Sequence, residues 1–395
     1  MKPMKSKSES GDLQIVAVKT ENDGLQLTWS DQQTSFFHFI WLRDCCYCET
    51  CGDSYSSKRY VLPADFSLDV CPQSSVLEQG DLQITWEPDG HRSQYSADWL
   101  ARYRYDAASR DTRFHQPRLW GSDLNDELPR VEYQAAASDE QQTLDLYRKL
   151  RDYGFVVVGG GPAEPGGIET VAGLIGEMGE SAYTRIFDLS PSSAINTLGN
   201  THRPVPPHTD EAFRHNPPGV NVLGCVRPAA SGGESVLVDG FAIAAQLRAD
   251  NPEGFRLLTR FGQAFNRIHP GELDQRSRQP MIRLDDRDEV IAVRIHTRAS
   301  APMDLPVEVV KPFYSAYHHL TRLMLDPVHQ VKFQLQAGES VMFDNQRVLH
   351  SRTEFSDPKR FLQICNVSRD GFHEKLRLLA AKHGYIDEAD MILEY

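Results

Sequence analysis

Two stretches decide the reading: His208-Thr209-Asp210, and Phe343-Asp344-Asn345-Gln346-Arg347-Val348-Leu349-His350. Of the 14 histidines, His208 alone begins a His-x-Asp or His-x-Glu triplet. On an extended strand, residues two apart project to the same face, so this imidazole and this carboxylate converge on one point. A second histidine completes a two-His-one-carboxylate facial triad. That triad holds one face of an octahedral metal and leaves the opposite positions open, the pattern of non-haem Fe(II) oxygenases. His350, at the end of an apolar run that follows the Gly338-Glu339 turn, is the candidate for that place. A strand-end histidine with a backbone partner is the plain alternative. Arg360 follows ten residues later and opens another apolar strand. A fixed guanidinium forks onto a carboxylate, as an iron-chelating 2-oxoacid needs at its far end. Arg352 and Arg369 are rival anchors that spacing does not exclude.

Around these stretches the chain reads as short strands. Phe155 to Val158, Val220 to Val226, Ser235 to Val238, Val331 to Leu335, Ser340 to Phe343 and Phe361 to Val367 are apolar runs bounded by turn residues. Helices are expected at Asp139 to Tyr153, Val307 to Leu325 and Phe372 to His383. Many short strands with few helices predict a sandwich or jelly roll, not a doubly wound sheet. Gly159-Gly160-Gly161-Pro162 lacks the Gly-Lys-Ser/Thr of a phosphate loop.

The first hundred residues form a second unit. Leu13 to Lys19, Leu25 to Trp29 and Leu82 to Trp86 alternate apolar and polar residues, as half-buried strands do. Ser96 to Arg104 predicts a short closing helix. No internal repeat is apparent. The expected division is a tail over 1–11, a β-rich unit over 12–105 and the oxygenase domain over 106–395. Within the small unit Cys46-x-Cys48-x-x-Cys51 puts three soft thiolates on one loop. Zinc takes Cys and His tetrahedrally, and His91, in a turn after a strand of the same unit, is the best fourth ligand. Four protein ligands make such a site structural. Cys45 is then a spare thiol, and Asp44 a competing donor.

Composition narrows the partners. The chain has 395 residues, 42 basic against 55 acidic, and a formal net charge of -13. An acidic chain with little basic excess around the cysteines does not read as a nucleic-acid binder. No apolar run approaches a membrane span, and the Lys/Ser-rich start lacks the apolar core of a secretory signal. The expected compartment is the cytoplasm. Seven cysteines, an odd number, argue against a disulfide framework.

The chain resembles the γ-butyrobetaine dioxygenase family, within the taurine-dioxygenase-like Fe(II)/2-oxoglutarate oxygenases. The resemblance rests on Trp41-Leu42-Arg43-Asp44 before the cysteines and on His91 before Ala97-Asp98-Trp99-Leu100. In the catalytic part it rests on His208-Thr209-Asp210, Pro218-Gly219-Val220, Gly232-Gly233 before Val238-Asp239-Gly240-Phe241, and Phe343-Asp344-Asn345 leading to His350. It implies a double-stranded β-helix (jelly roll) holding iron on His208, Asp210 and His350, and a separate zinc domain. It implies 2-oxoglutarate on that iron, with its distal carboxylate on Arg360 and Ser235 beside it, and a homodimer. Family chemistry couples hydroxylation by dioxygen to conversion of 2-oxoglutarate to succinate and carbon dioxide.

The resemblance also implies a substrate site, and there the sequence departs from the family. An aromatic cage for a trimethylammonium head keeps Tyr183 and Phe187, but two of its tyrosines are replaced by Asn200 and Asn366. Glu211 and Phe213 are candidates to compensate. Where the family anchors a carboxylate with asparagines, this chain has Thr197 and Arg298, with Asn196 next door. An arginine brings a full charge and planar donors, which suits a phosphonate. The preferred substrate is 2-(trimethylammonio)ethylphosphonate. γ-Butyrobetaine, giving carnitine, is the first alternative, and a non-catalytic iron and 2-oxoglutarate sensor is the second.

Overall fold

The computed structural model describes residues 13–182, 184–193 and 197–393. Tyr183 and Asn196 lie outside the described residues. Among the described residues the chain divides into two compact units, one of residues 13–115 with His383–Ile392, the other of Gln116–Lys382 with Leu393. The first unit therefore runs past the boundary read at residue 105 and recruits a distant segment. The ladder contacts explain it: His115 N–H donates to the Ile392 carbonyl, and Ile392 N–H to Arg113.

The first unit holds two three-stranded antiparallel sheets, Ile15–Thr20, Gly24–Trp29 and Thr34–His38, then Pro72–Glu78, Asp81–Trp86 and Arg92–Tyr95. The alternation in each middle strand buries Leu25, Leu27 and Trp29, or Leu82, Ile84 and Trp86. Both indoles are pinned alike: Trp29 Nε1 donates to Ser35 Oγ and Trp86 Nε1 to Ser93 Oγ, each at 2.9 Å. A buried indole needs such an acceptor. The two sheets thus share one local pattern, a buried middle-strand indole held by a serine.

In the second unit the strands are β1 (Arg130–Glu132), β2 (Phe155–Gly159), β3 (Phe187–Leu189), β4 (Val205–His208), β5 (Val220–Arg227), β6 (Ser235–Asp239), β7 (Gln330–Phe333), β8 (Ser340–Asp344), β9 (Val348–Arg352) and β10 (Phe361–Val367). They form a six-stranded sheet, β3-β10-β5-β8-β2-β1, and a four-stranded sheet, β4-β9-β6-β7. One core includes Phe155, Leu223, Val341 and Phe343 from the first sheet and Leu237, Val331 and Val348 from the second. This is the jelly-roll architecture expected.

Helices cover the outer face of the four-stranded sheet. Val238 and Leu349 point away from the inter-sheet core and pack with Phe241, Leu247, Phe255, Phe313 and Leu320. The helix Val307–Leu325 has the bounds read from the sequence, but Gly240–Asp250 and Pro252–Arg260 were not expected. The first buries Phe241, Ile243, Ala244 and Leu247. Its exposed face also carries Ala245 and Ala249, so the sequence shows little contrast between an apolar stripe and the solvent side. The hairpin Gly262–His269 with Leu273–Pro280 was also missed, because few of its residues are apolar.

One buried ion pair locks this layer. Arg347 donates to both oxygens of Asp239, Nε at 3.1 Å and Nη2 at 2.9 Å, and its remaining donors reach the carbonyls of Asp152 and Arg118. Asp239 also caps the helix Gly240–Asp250 by accepting from Phe241 N–H at 3.0 Å. Both side chains are essentially inaccessible. Removing one partner strands a buried charge. We expect Asp239→Ala to lower the unfolding free energy by about 3–5 kcal/mol, measured by urea titration.

Candidate metal centres and active site

The Cys46–Cys51 loop is a tight turn: the Cys48 carbonyl accepts from Cys51 N–H at 2.9 Å and Gly52 N–H at 3.0 Å. His91 Nε2 lies 3.4, 3.7 and 3.5 Å from the sulfurs of Cys46, Cys48 and Cys51. A tetrahedral zinc with ordinary Zn–S and Zn–N bonds gives sulfur-to-nitrogen edges of about 3.5 Å. The donor set and its spacing both fit zinc. Arg43 Nη1 adds a donor to Cys51 Sγ at 3.4 Å, which suits a thiolate. Asp44 pairs instead with Arg59 at 3.1 Å.

The second cluster is His208, Asp210 and His350, with donor atoms within 4.8 Å of one another. Its geometry follows from register. His208 faces His350 across β4 and β9, and Leu237 of the inter-sheet core faces His350 from the other side. Directly paired residues share a face, so both imidazoles point between the sheets. Pro206 and Pro207 are tolerated before His208 because β4 is an edge strand. His208 Nδ1 donates to the Pro206 carbonyl at 3.0 Å, leaving Nε2 with its lone pair. That atom is 3.4 Å from Asp210 Oδ1, and His350 Nε2 is 3.6 Å from Asp210 Oδ2.

Two asparagines fix the carboxylate. Asn221 Nδ2 donates to Asp210 Oδ2 at 2.8 Å. Asn345 Oδ1 accepts from Asp210 N–H at 2.7 Å, while its Nδ2 donates to the Asp210 and Pro218 carbonyls. Burial opposes ionisation of Asp210, but the facing His350 and His208 outweigh it and hold the carboxyl well below the usual carboxylate range. Burial, then the neighbouring His350, pushes His208 down to about 4. Burial also lowers His350. Two neutral imidazoles and one ionised carboxylate are the ligand states that a facial iron site requires, so the residues fit Fe(II). Sequence reasoning missed Asn221, and it missed His296, which packs edge-on against His208 at 4.9 Å and donates from Nδ1 to the Thr209 carbonyl at 2.8 Å. Asn345 lies inside Phe343-Asp344-Asn345, but only its partners in space give it a role.

The three candidate arginines separate by what they touch. Arg352 donates to the carbonyls of Gly199 and Thr201 at 2.7 Å each, and to Arg203. Arg369 pairs with Asp344 at 3.1 Å. Arg360 is buried against the Phe355 ring at 4.9 Å, with a long 3.5 Å contact to the Gly233 carbonyl and no ion pair among the described residues. Burial pushes it down to about 10. Ser235 faces Arg352 in register, two residues from Leu237 on the same inward face.

Among the residues that the resemblance implies for substrate, the structure brings some to this interior. Asn366 pairs with Asn221 and Phe187 with Ile364, so both share the face on which Asn221 reaches Asp210. Arg298 is exposed, and its charge is felt by His208, His350 and His296. Asn200 accepts from Ser190 N–H at 3.1 Å and so ties the turn after β3. Thr197 is half-buried at the start of that turn. Of the two candidates to compensate, Glu211 pairs with Arg214 at 2.7 Å, and Phe213 packs with Ala212, Phe265 and Ala299.

With fold and site in place, the comparisons agree. Residues 114–366 match the family model described as taurine catabolism dioxygenase TauD, TfdA family. The chain belongs to this family of dioxygenases, as a member of its γ-butyrobetaine dioxygenase branch. Residues 16–101 match the γ-butyrobetaine hydroxylase-like N-terminal model. The γ-butyrobetaine dioxygenase of Pseudomonas sp. (strain AK-1) is 33% identical over 363 residues, 90% of this chain and 94% of its own. The human one is 27% identical over 366 residues, 90% and 94%. Trimethyllysine dioxygenase of Meyerozyma guilliermondii is 28% identical over 393 residues, 93% and 96%. A solved taurine dioxygenase from Burkholderia xenovorans is 16% identical, covering 65% of this chain and 93% of that one, with a TM-score of 0.46.

Two distinct metals make a separable prediction. Elemental analysis of Asp210→Ala should show iron lost and zinc kept, and of His91→Ala the reverse. Loss of both metals in either variant would contradict two independent centres.

Proposed function

We propose that the chain hydroxylates an unactivated C–H bond of a small zwitterion with a quaternary ammonium head, and that 2-(trimethylammonio)ethylphosphonate is its preferred substrate. The observation that carries the reading is Arg298, an exposed guanidinium two residues after His296, whose ring packs edge-on against His208 at 4.9 Å. A phosphonate takes several charge-assisted hydrogen bonds from a guanidinium fork. Phe187 offers a ring face toward a trimethylammonium group, and Asn366 a polar wall.

His208, Asp210 and His350 would hold the iron, which supplies open positions for 2-oxoglutarate and dioxygen. Arg360 holds the distal carboxylate: it is buried and carries no ion pair among the described residues, so an incoming anion gives it its partner. The Ser235 hydroxyl supplies a neutral donor beside it. Asn221 and Asn345 keep Asp210 from turning away. The balance is one C–H, one dioxygen and one 2-oxoglutarate in, and one C–OH, one succinate and one carbon dioxide out.

γ-Butyrobetaine is the second reading, favoured by the names of the relatives. Both would be worked on by a homodimer in the cytoplasm; among the described residues no helix is long and apolar enough to cross a membrane.

Mass spectrometry of products from trimethylammonium phosphonates and carboxylates, with iron, ascorbate and 2-oxoglutarate, tests the reading. We expect the phosphonate to gain one oxygen fastest. Faster oxidation of γ-butyrobetaine would select the second reading. Iron and 2-oxoglutarate binding with no succinate from any substrate would leave a sensor. Arg298→Asn should raise the phosphonate KM roughly tenfold or more and the carboxylate KM far less. Arg360→Gln should raise the 2-oxoglutarate KM by a similar factor with zinc content unchanged.

A further inference from the structure

The turn after the iron carboxylate carries an ion pair that the reaction does not use. Glu211 lies in the left-handed region, φ 49°, an uncommon and strained conformation for a residue with a side chain. Its carboxylate is buried, pairs with Arg214 at 2.7 Å, and accepts from Ala182 N–H at 2.8 Å. Arg214 Nη1 in turn donates to the Glu180 carbonyl at 3.2 Å. Ala182 also packs against the small cluster of Ala212, Phe213, Phe265 and Ala299. The segment before Phe187 is therefore held to the Asp210 turn by both members of one ion pair. At its other end Gly179 N–H donates to the Asn366 carbonyl at 2.8 Å.

A buried ion pair costs desolvation that its attraction only partly returns, and the left-handed backbone adds to that cost. Apolar packing would hold the segment more simply. What the pair adds is direction: it fixes the distance between the metal-binding turn and the segment that leads into Phe187.

We propose that Glu211 and Arg214 are positioning residues that latch residues 180–182 to the iron-binding turn and thereby set the substrate's ammonium wall at the right distance from the metal. This rests on the reading of Phe187 as part of that wall. A wall free to drift leaves substrate binding loose and the reacting carbon misplaced, and displacements near 1 Å are enough to cost large factors in rate. Cosubstrate binding, on the Arg360 side, is untouched.

Glu211→Gln keeps the shape and removes the charge. In the full chain loaded with Fe(II) and 2-oxoglutarate, amides of residues 179–187 should exchange hydrogen roughly tenfold faster than in the unaltered protein. With γ-butyrobetaine and 2-(trimethylammonio)ethylphosphonate as probes, KM for the zwitterion should rise about tenfold while KM for 2-oxoglutarate stays within about twofold. Succinate formed per hydroxylated product should also rise. Arg214→Lys, which keeps the charge, should show little of either change. Unchanged exchange in 179–187, or equal rises in both KM values, would overturn the latch. If Glu211→Gln does not fold, Arg214→Gln is read by the same criteria. If neither zwitterion is turned over by the unaltered protein, the substrate reading fails, and the exchange measurement alone decides the latch.

Discussion

The pairing of β4 with β9 puts His208 directly opposite His350, and the chemistry depends on that register. Strand side chains alternate, so a slip of one residue would turn one imidazole out of the inter-sheet space. The register of β9 against β6 is set from outside the site. Val238 and Leu349 on the outer face pack into the helical layer, while Leu237 and Val348 pack inward. With both faces buried, each wrong register exposes apolar surface. Asp210 lies beyond the end of β4, so no ladder bond holds it. Asn221 and Asn345 supply from neighbouring strand ends what the ladder does not.

The buried guanidiniums follow one rule of charge and solvation. A buried cation needs acceptors, and most of those here have them: Arg347 on Asp239, Arg369 on Asp344, and Arg352 on three carbonyls. Arg360 departs from the rule. Its described polar contact is one long approach to a carbonyl, and the ring of Phe355 takes the rest of its face. In a packed interior such a charge is costly unless an anion arrives to pair with it. The contrast separates Arg360 from Arg352, although both stack on the same phenyl ring.

Much of this was legible in the sequence, and the reason differs from residue to residue. Cys46, Cys48 and Cys51 announce a metal because soft ligands on one loop have few other uses, and His91 follows from a turn at the right place. His208 and Asp210 are legible through the strand period. The jelly roll is legible because its strands are apolar runs between turns. What failed to show was whatever depends on three-dimensional partners. Asn221 sits in an ordinary apolar strand, and only Asp210 in space gives it a role. Glu211 next to Asp210 looks like a further active-site carboxylate, whereas Arg214 and Ala182 claim both its oxygens. The helix Gly240–Asp250 hides because alanines such as Ala245 and Ala249 occupy its exposed face, so its apolar residues mark no distinct stripe.

In the reading proposed above, the departures from the family lie at both ends of the substrate, and charge links them. A ferrous ion, the Asp210 carboxylate and a 2-oxoglutarate dianion sum to about one net negative charge, with neutral imidazoles adding none, and Arg360 offsets it at the far carboxylate. On the metal side such a centre favours a cationic head close by and repels an anionic tail. Fewer ring faces around the head, with Asn366 in place of an aromatic residue, weaken the cation–π part of its binding. The remaining attraction to the centre's own charge is then a larger share. The tail must be held against the same field, and the more charge it carries the stronger the opposing cation must be. Neutral amides suffice for a carboxylate, whereas a phosphonate near its second ionisation needs a full positive charge. In that reading Arg298 would supply that charge, and the loss of aromatic faces at one end would go with the gain of a guanidinium at the other.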